Sequence, residues 1–160
     1  MNTLLRILPW GMIKLLSIVT LVTLIVLNFY GLYTNKFYFF KFDNYIFPIL
    51  SIAHFVYLYV IWFKVRENEY PDPQMRNLEY LLYVILFIYA FQIFDTLYIL
   101  SSYTDYDASI IPKTFIPMGS LIVTLYSLLI FMTLVSFRHR KVLVGEYKFM
   151  DVNDNIDSWQ

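Results

Sequence analysis

Cysteine is missing from the whole of this 160-residue chain. That excludes disulfides, thiolate nucleophiles and thiolate metal sites, and it removes any reading of redox compartment from cysteine usage. Glycine is scarce, with four residues, none of them in a GxxxG pair or a phosphate-cradling loop. Histidine occurs only at His54 and His139. A zinc site needs three or four ligands, and only His54 and Asp95 are placed to contribute, so no metal is expected. Haem held by two histidines is equally unsupported, because His139 falls in a basic run. Charge is also sparse: Lys and Arg number 12, Asp and Glu 12, together 15% of the residues. A zero balance creates no global field toward nucleic acid, which is not an expected partner.

What the chain has in abundance is apolar and aromatic surface, at 59% and 21% of residues. Run length separates a membrane protein from an unusually greasy soluble one. No charge occurs between Lys14 and Lys36, between Asp43 and Lys64, or between Lys113 and Arg138, and only Asp95 lies between Glu79 and Asp105. Each interval supplies the roughly 20 residues that a helix rising 1.5 Å per residue needs to cross hydrocarbon. Soluble helices of that length would show polar residues every turn. The expected fold is an all-α integral membrane protein, a bundle of four transmembrane helices over about residues 14–33, 45–63, 80–103 and 115–137. Residues 1–137 form the membrane domain and 138–160 a C-terminal tail.

The segments between the runs complete this reading. Met1–Met12 reads as an interfacial lead-in, interrupted at Pro9-Trp10-Gly11 and continuing as an uncleaved anchor, since no small-residue cleavage site follows. Ser17, Thr20 and Thr23 form a stripe of small residues suited to helix packing. The loop 34–44 is crowded with Phe37, Tyr38, Phe39, Phe40 and Phe42. These residues suit either headgroup depth or a docking surface for a partner. Residues 67–76 read as a polar loop. The tail segment VLVGEYKFMDV reads as a short strand or an amphipathic surface segment. The run after it has Asp151, Asn153 and Asn155 in calcium-loop spacing, but Ile156 replaces the required glycine and no glutamate follows, so that motif is rejected.

Even-numbered spans put both termini on one side. Arg6, Lys14, Lys64, Arg66, Arg76, Arg138, Arg140, Lys141 and Lys148 gather there, against Lys36, Lys41 and Lys113 opposite. The positive-inside rule then makes both termini cytoplasmic and the plasma membrane (the inner membrane, in a bacterium) the expected location.

With that topology, Asn28, Ser51, His54, Gln92, Asp95, Ser120 and Thr124 form a polar layer about 8–13 Å below the outer surface. Gly119, Ser120, Thr124 and Ser127 are expected to share one helix face. Asp95 is the only charge inside a long apolar run, and a carboxylate in hydrocarbon needs a surrounding. His54 is the expected partner. On a structural role for that pair, Asp95→Asn is tolerated and Asp95→Leu harmful, because Leu leaves His54 and Gln92 unpaired. Ser51 and Ser120 read as packing serines, and no nucleophile, cofactor motif or catalytic constellation is visible. The expected function is a non-enzymatic membrane subunit of a larger complex in translocation, transport or respiration, with lipid and other integral membrane subunits as partners. The alternative is a small proton-coupled carrier or quinone-contacting protein using His54 and Asp95. A cleft lined by Asn28, His54, Gln92 and Asp95 would favour that alternative, and a closed, dry bundle would favour the subunit.

Overall fold

The computed structural model describes residues 7–105 and 111–147. It is mostly helical. The long elements are α1 (Trp10–Leu27), α2 (Ile46–Glu67), α3 (Pro73–Ser101) and α4 (Phe115–Leu143). All four are long and apolar enough to cross a membrane. Between α1 and α2 lie two two-residue strands, β1 (Tyr30–Gly31) and β2 (Lys36–Phe37), and a 3-10 turn over Phe42–Tyr45. A second such turn, Ser102–Asp105, closes α3.

The helix limits follow from local chemistry and differ from the sequence expectation at several ends. Pro9 does not interrupt α1 but precedes it. Its extended backbone and absent N–H suit a position just before a first turn, and Trp10 and Gly11 are already helical. At the other end α1 stops at Leu27, six residues short of Tyr33. Asn28 closes that end, its backbone N–H and its side-chain Nδ2 both donating to Leu24 O at 2.9 Å. The chain then turns back as a hairpin, with Tyr30 opposite Phe37 and Gly31 opposite Lys36. Asn35 takes φ 52° in the connection. Gly31 leaves no room for a side chain without movement of its neighbours, because a Cβ would lie 2.6 Å from Tyr38 Cε2 and 2.8 Å from Thr34 Oγ1.

α3 starts at Pro73 rather than near Tyr80. Asp72 caps it, Oδ1 accepting the Met75 N–H at 2.7 Å, and proline fills the first position, which needs no donor. The supposed polar loop 67–76 is therefore short, and it is tightened by Asn68 in the left-handed region at the end of α2. α4 continues to Leu143, six residues past the apolar run. The segment placed at 142–152 as a strand or surface piece is thus partly helix, partly turn, and beyond Tyr147 lies outside the described residues, as do Arg6, Lys148 and the rejected calcium loop.

α4 is the central helix. It packs along α1 and α3, and α2 fills the remaining side against α3 and α1. Small residues mark the close approaches. Ser17 and Thr20 are buried in α1, as a packing stripe requires, whereas Thr23 is only half-buried and donates back to Val19 O. Gly119 lies so close to α3 that a Cβ would meet Leu100 Cδ2 at 2.4 Å. The core is aromatic where the helices meet: Phe47 contacts Tyr89 and Tyr126, and Tyr57 contacts Phe137. Phe47 beside Tyr126, His54 beside Thr133 and Tyr57 beside Phe137 hold α2 and α4 in one register. In that register α2 begins about ten residues, or about 15 Å, further along the bundle than α4. The hairpin and the 3-10 turn occupy the space beyond the end of α2. This offset shapes the site below.

Candidate functional site

At the hairpin end, the late start of α2 leaves a cleft of about 280 Å3 between α1, α3, α4 and the hairpin. Asn28, Gln92 and Asp95 line it, together with Lys41, Asp43 and Asn44 from the hairpin side and Tyr126 from α4. A second pocket of about 430 Å3 shares Tyr30, Leu32, Lys41, Asn44 and Ile99 with it, so the two adjoin around the hairpin. Asn28 donates both ways, to Leu24 O and, at 3.0 Å, to Tyr126 Oη. Asp95 is exposed to the cleft, and among the described residues no side chain or backbone N–H donates to its carboxylate. Lys41, which lines the same cleft, lies 3.7 Å from Asp43.

The expected partnership of His54 with Asp95 is not formed. His54 is fully buried and sits level with Thr133. That is seven residues beyond Tyr126 on α4, so about 10 Å deeper than the Asn28 level. The sequence estimate assumed that all helices start at one height, and the offset of α2 breaks that assumption. Thr133 Oγ1 donates to Leu129 O at 2.7 Å. It is therefore an acceptor for the His54 Nε2–H at 3.3 Å, which leaves Nδ1 without a partner among the described residues. The imidazole also lies parallel to the Tyr89 ring at 6.3 Å. Ser51 is likewise inside the bundle and turned on its own helix, donating to Pro48 O at 2.7 Å.

Ser120 and Thr124 leave the layer in the other direction. Both are exposed on the outside of α4, and Thr124 donates back to Ser120 O. Ser127 shares that exposed side, whereas Gly119 faces α3, so the four residues expected on one face divide between two. Of the seven polar residues, the structure brings three together around a cleft, buries two in the core, and turns two outward.

The aromatic loop is a built surface. Phe39 rests on Phe29 at 5.4 Å and on Phe37 at 6.0 Å, Phe29 meets Tyr45 edge-on, and Tyr30 meets Phe37 the same way. Asn44 Nδ2 donates to Tyr38 O, and Tyr45 Oη to Phe39 O. On this platform Phe40 and Phe42 project, 99% and 89% exposed. A second apolar surface runs along α3, where Tyr80, Val84, Phe87, Phe91, Phe94 and Tyr98 alternate steps of four and three residues on the outside of the bundle.

Sequence reasoning missed the charges at the opposite end. Glu79 and Arg140 form a buried ion pair at 2.8 Å. Glu79 Oε2 also accepts from Tyr147 Oη at 2.8 Å, Arg140 Nη1 donates to Gly145 O, and the guanidinium stacks 4.2 Å over the Tyr147 ring. Beside it Lys64 bridges Glu69 and Asp72 at 2.8 and 2.7 Å. The Lys64 ammonium and the Met75 N–H hold the Asp72 carboxyl below the usual range. Burial, reinforced by Glu79, pushes the Tyr147 phenol up. His139 Nε2 lies 2.8 Å from Leu8 O, and its ring packs near Trp10, tying the start of the chain to α4. The available signal was opposite charges at the adjoining ends of two consecutive apolar runs, which antiparallel helices bring together.

Among the described residues no three His, Asp or Glu side chains converge as metal ligands. The chain matches no family model, no curated protein and no solved structure.

Proposed function

We propose that this chain is a multi-pass membrane protein acting as a non-catalytic subunit that docks onto other integral membrane proteins, with both termini cytoplasmic and the hairpin outside. The observation that carries this is the hairpin platform: ring contacts and hydrogen bonds hold an ordered base from which Phe40 and Phe42 project. Projecting aromatics on a rigid base suit the anchor role in an interface, since little ordering entropy remains to be lost. The outer stripe of α3 gives the same subunit a surface within the membrane. The basic residues support the orientation. Lys14, Lys64, Arg66, Arg76, Arg138, Arg140 and Lys141 lie toward the helix ends away from the hairpin, which carries Lys36 and Lys41.

The decisive experiment is purification from native membranes in mild detergent, comparing the wild type with Phe40→Ser plus Phe42→Ser. Phe39 is left alone because its ring contacts hold the platform. The expected result is a stoichiometric membrane partner retained by the wild type and released by the double variant, which still inserts. A wild type that runs alone, or a variant that keeps its partner, overturns the docking role. For orientation, Phe40→Cys is expected to react with an impermeant reagent added outside cells and Val142→Cys to be protected. The opposite pattern reverses the topology.

The cleft favours a second reading, a small-molecule binding protein, and it contains three of the four residues that reading requires. It does not contain His54, so a direct His54–Asp95 proton relay has no support from the geometry. What remains of that alternative is a site centred on Asp95.

A further inference from the structure

We propose that the cleft at the hairpin end binds the primary ammonium group of a small amine, with Asp95 as its counter-charge. The proposal shares with the docking role only the membrane placement. Three observations carry it. The first is charge. The cleft holds two carboxylates, Asp43 and Asp95, and one ammonium, Lys41, which is 3.7 Å from Asp43. Asp95 is left over, in a helix long and apolar enough to cross a membrane, with no donor among the described residues. By contrast Glu79 has Arg140, and Glu69 and Asp72 have Lys64. A carboxylate so placed needs a cation, and the cleft is open for one to enter.

The second observation is the polarity of the neighbours. Both N–H groups of the Asn28 amide are engaged, on Leu24 O and Tyr126 Oη, so Oδ1 is what it has left to offer. Gln92 lies one helical turn before Asp95 in the same wall; its backbone carbonyl accepts from Thr96 Oγ1 at 2.8 Å, and its side-chain amide, with no partner among the described residues, offers a carbonyl and two N–H donors. Apart from that amide's N–H groups, what Asn28, Gln92 and Asp95 leave free is acceptors: the two amide carbonyls and the carboxylate. A primary ammonium, with three N–H donors, matches them; a quaternary ammonium offers none. The third is size. The part of the cavity that Asp95 lines is about 280 Å3, room for a small amine or the headgroup of an aminolipid, with the pocket of about 430 Å3 adjoining it.

The test is saturation-transfer NMR with ethanolamine on the full chain in nanodiscs made only of phosphatidylcholine. Saturable ethanolamine binding is expected, at least tenfold weaker binding of choline, and no competition by ethylene glycol, the neutral analogue. These comparisons use the wild type, so they do not depend on a variant folding. Asp95→Asn, checked for an unchanged size-exclusion profile, is expected to weaken ethanolamine at least tenfold. Competition by ethylene glycol, or an undiminished Asp95→Asn, overturns the proposal. A second arm separates the sources. If free ethanolamine fails to bind but phosphatidylethanolamine is enriched around the wild type over Asp95→Asn in mixed-lipid discs, the ammonium is that of a lipid headgroup. Failure of both overturns the site. A docking partner lost or kept in the phenylalanine experiment does not alter any of these outcomes.

Discussion

The two ends of the bundle treat charge in opposite ways. At the end away from the hairpin, Glu79, Arg140 and Tyr147 interlock in a buried network, and Lys64 bridges two carboxylates beside it. At the hairpin end, Asp95 looks into an open cleft with no donor among the described residues. Ion pairs taken out of water stabilise only when each partner is met, so the first arrangement has the form of a structural lock. The second leaves a carboxylate uncompensated at a place the chain has kept accessible, as binding sites do and locks do not. Asp95 alone drew notice as a charge inside an apolar run. The deeper burial belongs to the pair that run lengths placed at the edges.

The sharpest way to break this comparison is to remove one charge from each end. Arg140→Ala strands Glu79 in a site with 6% of its side chain exposed, and is expected to cost about 3–5 kcal/mol of stability. Asp95→Leu removes a carboxylate that holds nothing in place and is expected to change stability by less than about 1 kcal/mol. This reverses the expectation drawn from a His54–Asp95 pair. Unfolding in mild detergent by heat or by added ionic detergent measures both. Equal losses would mean that Asp95 is structural after all. Pairing Arg140→Met with Glu79→Leu should recover much of the loss, because no charge is then left unmet.

Where sequence and structure part company, the reasons are specific. The four apolar runs were legible because a helix that crosses hydrocarbon must be continuously apolar. The start of α3 was legible in principle: Asp72-Pro73 is an N-cap followed by the residue favoured at N1, but the apolar run begins later and drew the boundary with it. The polar layer was only half legible. Rise per residue gives depth along one helix, whereas relative height comes from loops. Here a hairpin that reads as a plain aromatic loop moves α2 about 15 Å along the bundle and takes His54 away from Asp95. Facing was equally out of reach for Ser120 and Thr124, because α4 has apolar residues on all sides and period alone does not say which side meets α3.

The interior polar pair gives an intermediate test of the same contrast. His54 and Thr133 are fully buried and bonded, yet His54 Nδ1 has no partner. Thr133→Val keeps the shape and removes the acceptor for Nε2–H, leaving both ring nitrogens unmet. The expected loss is about 1–3 kcal/mol. His54→Leu removes the polar ring altogether and is expected to cost less than Thr133→Val. The same unfolding assay checks the order. If His54→Leu costs more, the packing of the ring on Tyr89 outweighs its hydrogen bond. In neither variant should ethanolamine binding in the cleft change, since the pair lies about 10 Å deeper.

The smallest effect is expected at Asp72, where the locked end meets water. Its carboxyl titrates below the usual range because Lys64 donates to it and the Met75 N–H caps α3 through it. The ionised form is thus favoured in the folded state. The stabilisation is fully present above the ordinary aspartate value, near pH 4, and is lost as pH falls through the lower folded value. The side chain is 40% exposed, so solvent screening limits the ion pair to less than about 1 kcal/mol. The expected observation is a small drop in unfolding temperature between about pH 5 and pH 3, which Asp72→Asn reduces while largely keeping the cap, since asparagine serves at that position as well. An identical pH response in the variant would assign the acid sensitivity to other carboxylates. A large drop that Asp72→Asn removes would mean that the corner at Lys64 is far drier than its exposure indicates, and would extend the lock from Glu79 across the α2–α3 turn.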